Sequence, residues 1–151
     1  MDALSETLRV VQLVSAIFTQ ARFTAPWAYQ SPSGWLAGMG DRIVGNALNA
    51  LHARPAHAWA LEELAREAGT SRSVLAKRFQ QLVGNSPMQY LTQWRMLLAA
   101  NLLRRSSASL ASIAEDVGYQ TDTAFSRAFR REFGSPPARW RRDQLAREAV
   151  Q

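Results

Sequence analysis

Lys77 and Arg127 are the side chains whose type and spacing best suit a chemical task. They occupy matching positions in two similar stretches of the chain. Each can donate to the O6 and N7 acceptors of guanine. Asp122, close to Arg127, can accept from a cytosine amino group. The other chemistry-bearing residues assemble nothing catalytic. The chain has no cysteine, so disulfides and thiolate sites are excluded. His52 and His57 have no third ligand nearby, whereas zinc needs three or four. Glu62/Glu63 and Glu115/Asp116 are adjacent pairs, which do not face one another on a helix. No Ser-His-Asp spacing or glycine-rich phosphate loop is visible. The chain does not read as an enzyme, and neither a cofactor nor a metal is expected.

The elements that must carry Lys77 and Arg127 are copies of one another. Leu61, Leu64, Ala65, Ala68 and Gly69 align in register with Leu110, Ile113, Ala114, Val117 and Gly118. After one extra residue in the second turn, Leu75, Lys77, Phe79, Val83, Gly84, Pro87 and Tyr90 align with Phe125, Arg127, Phe129, Phe133, Gly134, Pro137 and Trp140. Two copies are too few for a solenoid and read as a duplicated supersecondary unit. In the first copy Leu61, Leu64, Ala65 and Ala68 line one face of a short helix. Gly69 suits a left-handed helix end. Ser71 caps a second helix with Leu75, Phe79 and Leu82 on its apolar face, and Gly84 closes it. The second copy runs from Leu110 to Val117, turns at Gly118, is capped at Thr121 and carries Phe125, Phe129 and Phe133 up to Gly134. Helix, short turn, helix is the helix-turn-helix layout. Ala65 and Ala114 let the two helices of each unit approach closely.

Between the copies, Ser86 caps and Pro87 opens a helix that meets no glycine or proline until well after Arg105. About 19 residues at ~1.5 Å each make a strut of about 28 Å. That is near the ~34 Å of one DNA turn, so one chain can place two helices in successive major grooves. A further helix opens the domain from about Asp41 to His52, with Ile43, Ala47 and Leu51 on one face. Trp59 before Leu61 and Leu64 fits a hydrophobic staple. Ala60 is a poor cap, so that helix should start softly.

Charge divides the chain in the same place. Eighteen Lys+Arg face twelve Asp+Glu, a net charge of +6. Residues 1–40 balance Arg9 and Arg22 against Asp2 and Glu6, so the remainder carries the whole excess. Every basic residue except Lys77 is arginine. A basic domain beside a neutral appendage suits a polyanionic partner. With 47% hydrophobic residues the chain can bury a core. No apolar run approaches the ~18 residues of a membrane span. The N-terminus lacks the basic region of a signal peptide. The expected setting is cytoplasmic.

The stretch GYQTDTAFSRAFRREFGSPPARWRR resembles the closing signature of the AraC/XylS transcription-regulator domain. WALEELAREAGTSRSVLAKRFQQLVGNSPMQYLTQWRMLLAANLLR resembles the rest of that domain. The resemblance covers about residues 41–142. It implies an all-α fold of about seven helices, two helix-turn-helix subdomains joined by a long linker helix. It also implies binding to double-stranded promoter DNA, often with recruitment of RNA polymerase. MDALSETLRVVQLVSAIFTQARFTAPW resembles the opening of the cupin-type sensor domain of one branch of the family. SPSGWLAG then resembles the hinge before the DNA-binding domain. The resemblance leads to the expectation that most of the sensor barrel is missing between them, so that a small-molecule effector would lack its usual seat. The expected organisation is a sensor remnant over 1–38 with a short helix and strand, the DNA-binding domain over 41–143, and a C-terminal tail over 144–151.

The N-terminal half of each second helix should face the groove. The outward positions are Arg72, Ser73, Ala76, Lys77 and Gln80 in the first unit. In the second they are Asp122, Thr123, Ser126, Arg127 and Arg130, with the cap Thr121 beside them. The resemblance places base contacts at Ser73, Ala76 and Lys77, and at Asp122, Thr123 and Arg127. Ser73 and Ala76 are small, so the second unit should supply more of the readout. Arg104, Arg105, Arg131, Arg141 and Arg142 are phosphate candidates. Leu75, Phe79, Phe125, Phe129, Trp94 and Trp140 read as core. A monomer or weak homodimer is expected. An alternative role is protein interaction through residues 1–40, where Ile17, Thr19, Ala21 and Phe23 alternate as in a strand.

Overall fold

The computed structural model describes residues 40–150. The sensor-like segment and the strand around Ile17–Phe23 lie outside these residues. Among the described residues there are seven helices and no strand: α1 Arg42–Ala53, α2 Leu61–Ala68, α3 Arg72–Val83, α4 Pro87–Arg105, α5 Leu110–Asp116, α6 Asp122–Phe133 and α7 Pro137–Val150. None is long and apolar enough to cross a membrane.

Each boundary has a local cause. Asp41 caps α1 by accepting from the Ile43 and Val44 amides, both at 3.0 Å. Ser86 Oγ accepts from the Gln89 amide at 3.2 Å, and Gln89 Oε1 accepts from the Ser86 amide at 3.1 Å. This reciprocal box, with Pro87 in the first turn, starts the long helix firmly. Ala60 makes no side-chain cap at the start of α2. Trp59 compensates there by packing with Leu61 and Leu64 in the core, while its indole donates to the Arg54 carbonyl at 2.9 Å.

Two cores share one helix. Val44, Leu48 and Leu51 of α1, Leu64 and Ala68 of α2, and Leu75 and Phe79 of α3 close over Tyr90, Leu91, Trp94 and Leu97 of α4. Ile113 of α5, Phe125 and Phe129 of α6, and Trp140 of α7 close over Met96, Ala99, Ala100 and Leu103 of the same helix. At about 100° per residue, these two sets point nearly half a turn apart. The strut therefore buries one face at its N-terminal end and the opposite face at its C-terminal end. That explains why its sequence shows no single apolar stripe.

The last helix differs from expectation. Residues from 144, expected as a tail, continue α7 to Val150. The segment DQLAREAV is rich in good helix formers and contains neither glycine nor proline. Arg104 Nε on α4 meets Glu148 Oε1 at 3.1 Å, so the final turns are tied to the strut.

Candidate nucleic-acid interface

The caps and cores of the two units decide which side chains face outward. Ser71 Oγ accepts from the Val74 amide at 3.3 Å, setting the first turn of α3. Leu75, Phe79 and Val83 bury the opposite side of that helix. Thr121 Oγ1 accepts from the Ala124 amide at 3.1 Å, and Phe125, Ala128 and Phe129 anchor α6. Phe129 stacks on Phe133 at 4.5 Å and meets Trp140 edge-on at 5.5 Å, so α6 is held by aromatic packing.

In the first unit Ser73 and Lys77 are exposed and Ala76 is half-buried. Arg72 and Gln80 are exposed but engaged. Arg72 reaches Glu62 at 3.1 Å, a solvated pair of little energetic weight. Gln80 Nε2 donates to the Gly84 carbonyl at 2.9 Å, closing its own helix. In the second unit Asp122, Thr123, Ser126, Arg127 and Arg130 line one shallow depression with Pro136. Thr121 is exposed and also serves as the cap, its Oγ1 accepting one bond while its hydroxyl proton stays available. Lys77, Arg127 and Arg130 form no ion pair among the described residues. Their charge is free to meet a polyanion.

The other cations divide. Arg78 pairs with Asp41 at 3.1 Å. The Val44 amide, helped by the Arg78 guanidinium, holds the Asp41 carboxyl below its ordinary value. Two phosphate candidates also have structural work. Arg141 donates from Nε to the Leu103 carbonyl at 2.9 Å and from Nη2 to the Ser106 carbonyl at 3.4 Å, closing the end of α4. Arg104 holds Glu148. Arg105, Arg131 and Arg142 are exposed. His52 is buried, 2.6 Å from Tyr90 Oη, with its ring 4.6 Å from that of Trp94. His57 reaches Glu63 at 2.7 Å. No cluster among the described residues could hold a metal ion.

One outward residue escapes the sequence reading. Val74 is 40% exposed on α3, one turn before Lys77. Its signal was a β-branched apolar residue on the polar side of a helix, where it gains neither propensity nor burial.

A family model described as a helix-turn-helix domain matches residues 64–143. A putative AraC-like transcription regulator of Streptomyces lividans is 45% identical over 139 residues, covering 92% of this chain and 44% of the relative. The regulator AlkR of Acinetobacter baylyi is 42% identical over 110 residues, covering 73% of this chain and 36% of the relative. The chain thus spans less than half the length of these relatives. Among solved structures, the DNA-binding domain of AdpA in complex with a target DNA superposes with a TM-score of 0.69 at 31% identity, covering 74% of this chain and 99% of that one. The C-terminal domain of the response regulator AraT from Geobacillus stearothermophilus gives 0.66 at 33% identity, covering 68% and 86%.

Proposed function

The chain belongs to the AraC family of helix-turn-helix transcription regulators, and from that membership we propose that it reads two successive major grooves of one duplex, with α3 in one and α6 in the next. The carrying observation is the repeat itself. Two capped helices on opposite ends of one strut each present an exposed cation at the equivalent position, Lys77 and Arg127, without an intramolecular ion pair. Arg127 and Lys77 donate to guanine edges or adjacent phosphates. Asp122 and Thr123 add acceptor and hydroxyl contacts. Ser73 and Ala76 let the backbone of α3 come close, and Val74 offers apolar surface suited to a thymine methyl. Five of the candidate residues gather in one depression on α6, which supports the heavier readout there.

In vitro selection of duplexes by the purified chain, followed by footprinting, tests this reading. Arg127→Ala should weaken the selected site by about 1–3 kcal/mol and relax one base position. Lys77→Ala should weaken the other half-site similarly or, if it holds a phosphate, lower the salt slope by about 1. Unchanged footprints and slopes in both variants would reject the groove assignment.

A further inference from the structure

Arg95 projects from the middle of α4, where the helix passes from one core to the other. Its Nε donates to the Pro55 carbonyl at 2.8 Å, and its Nη2 donates to the His57 carbonyl at 2.9 Å. Both carbonyls belong to the loop joining α1 to α2, in the first unit. The same guanidinium lies 5.8 Å from the ring centroid of Tyr119. Tyr119 sits in the turn between α5 and α6, in the second unit. Gly118, at φ +94°, brings the backbone of that turn onto the first unit's loop. A Cβ there would stand 2.9 Å from Ala56 Cα and 3.0 Å from Arg95 Nη2. Glycine is thus required twice at this point, for its conformation and for the close approach.

The repeat shows that the contact is an addition to the unit. Gly69, the counterpart of Gly118, also has a positive φ, +77°, yet nothing lies within 4 Å of a Cβ built on it. The first glycine serves a turn alone. The second serves a turn and a junction.

We infer that Arg95, with Gly118 and Tyr119, forms a clasp that fixes the two recognition helices relative to one another, so that the chain accepts one spacing of its two half-sites. The inference rests on the two-groove reading. Arg95 acts as a positioning residue and does not touch DNA. One added base pair shifts the distal half-site by about 3.4 Å and rotates it by about 35°. A reader held rigid loses contacts on that half-site, whereas a reader hinged at α4 follows it.

The experiment uses the full chain and its selected duplex, with one base pair inserted or deleted between the half-sites. Wild type should lose about tenfold to a hundredfold in affinity, the cost of one or two lost base contacts. Arg95→Ala should reduce that penalty to about threefold, since its two units are free to adjust. The ratio of affinities at two spacings within one variant cancels any general loss of active protein. Arg95→Lys keeps the charge but cannot reach two carbonyls while covering the tyrosine. It should also flatten the profile, which separates a clasp from a long-range charge effect. Tyr119→Leu leaves the carbonyl bonds in place and serves as the second variant if Arg95→Ala fails to fold. A folded variant that keeps the wild-type spacing penalty overturns the clasp. Wild-type protein protecting a single half-site, indifferent to spacing, would instead overturn the two-groove reading beneath it.

Discussion

At the residue scale, the candidate interface depends on which polar groups are already engaged within the protein. Ser71 and Thr121 also serve as caps, Gln80 also closes its own helix, and Arg141 also closes the end of α4. Lys77, Arg127 and Arg130 form no ion pair among the described residues. One buried residue makes a prediction of its own. Burial pushes the His52 imidazole down from 6.5 to about 4, beside Tyr90 and Trp94. The folded state therefore holds His52 neutral, while the unfolded chain takes up a proton below about pH 6.5. Its contribution is complete above that value and is lost progressively as pH falls toward 4. Between pH 7 and pH 5 wild type should lose about 2 kcal/mol more stability than His52→Gln, which cannot titrate. Urea denaturation at the two values measures this. Equal losses would show that the imidazole is not held neutral by folding.

At the scale of elements, most of the architecture was legible because helix signals are local. Caps at Ser71, Ser86 and Thr121, Pro87 in a first turn, and glycines 69, 84 and 134 after helix ends all act within a few residues. The missing side-chain cap of α2 was legible for the same reason. Ala60 already has the extended conformation of a cap, with φ −102° and ψ 150°, but offers no acceptor. Ala60→Ser should supply one and raise stability by about 0.5–1 kcal/mol. A shift in the urea midpoint reads it, and no gain would mean that Trp59 packing already decides this helix start. The two opposed faces of α4 were not legible. Its apolar residues serve different cores at its two ends, and periodicity within a window sees only their sum. The continuation of α7 was missed because good helix formers without a breaker look the same in a frayed tail as in a docked helix.

At the scale of the whole molecule, the proposed two-groove reading gives one chain what a single-copy reader gains by dimerising. We therefore expect one chain per duplex and a hyperbolic titration without protein–protein cooperativity, checked by stoichiometric mobility shift and sedimentation. A sigmoidal curve with two chains per site would contradict it. The candidate site was readable from the repeat, since equivalent positions on two capped helices point outward for the same reason. The clasp was not. Arg95 bonds to carbonyls 38 and 40 positions away, and Gly118 resembles any helix-ending glycine until Ala56 is seen against it.

Lys77 is the chain's single lysine, and it stands on the outward face of α3. Among the 151 residues it thus supplies the lone side-chain primary amine. An acylating reagent that spares guanidinium groups would mark α3 and no other described helix. Under the proposed two-groove reading, protection of that amine by duplex would report occupancy of one groove, separately from the arginines proposed to face the next.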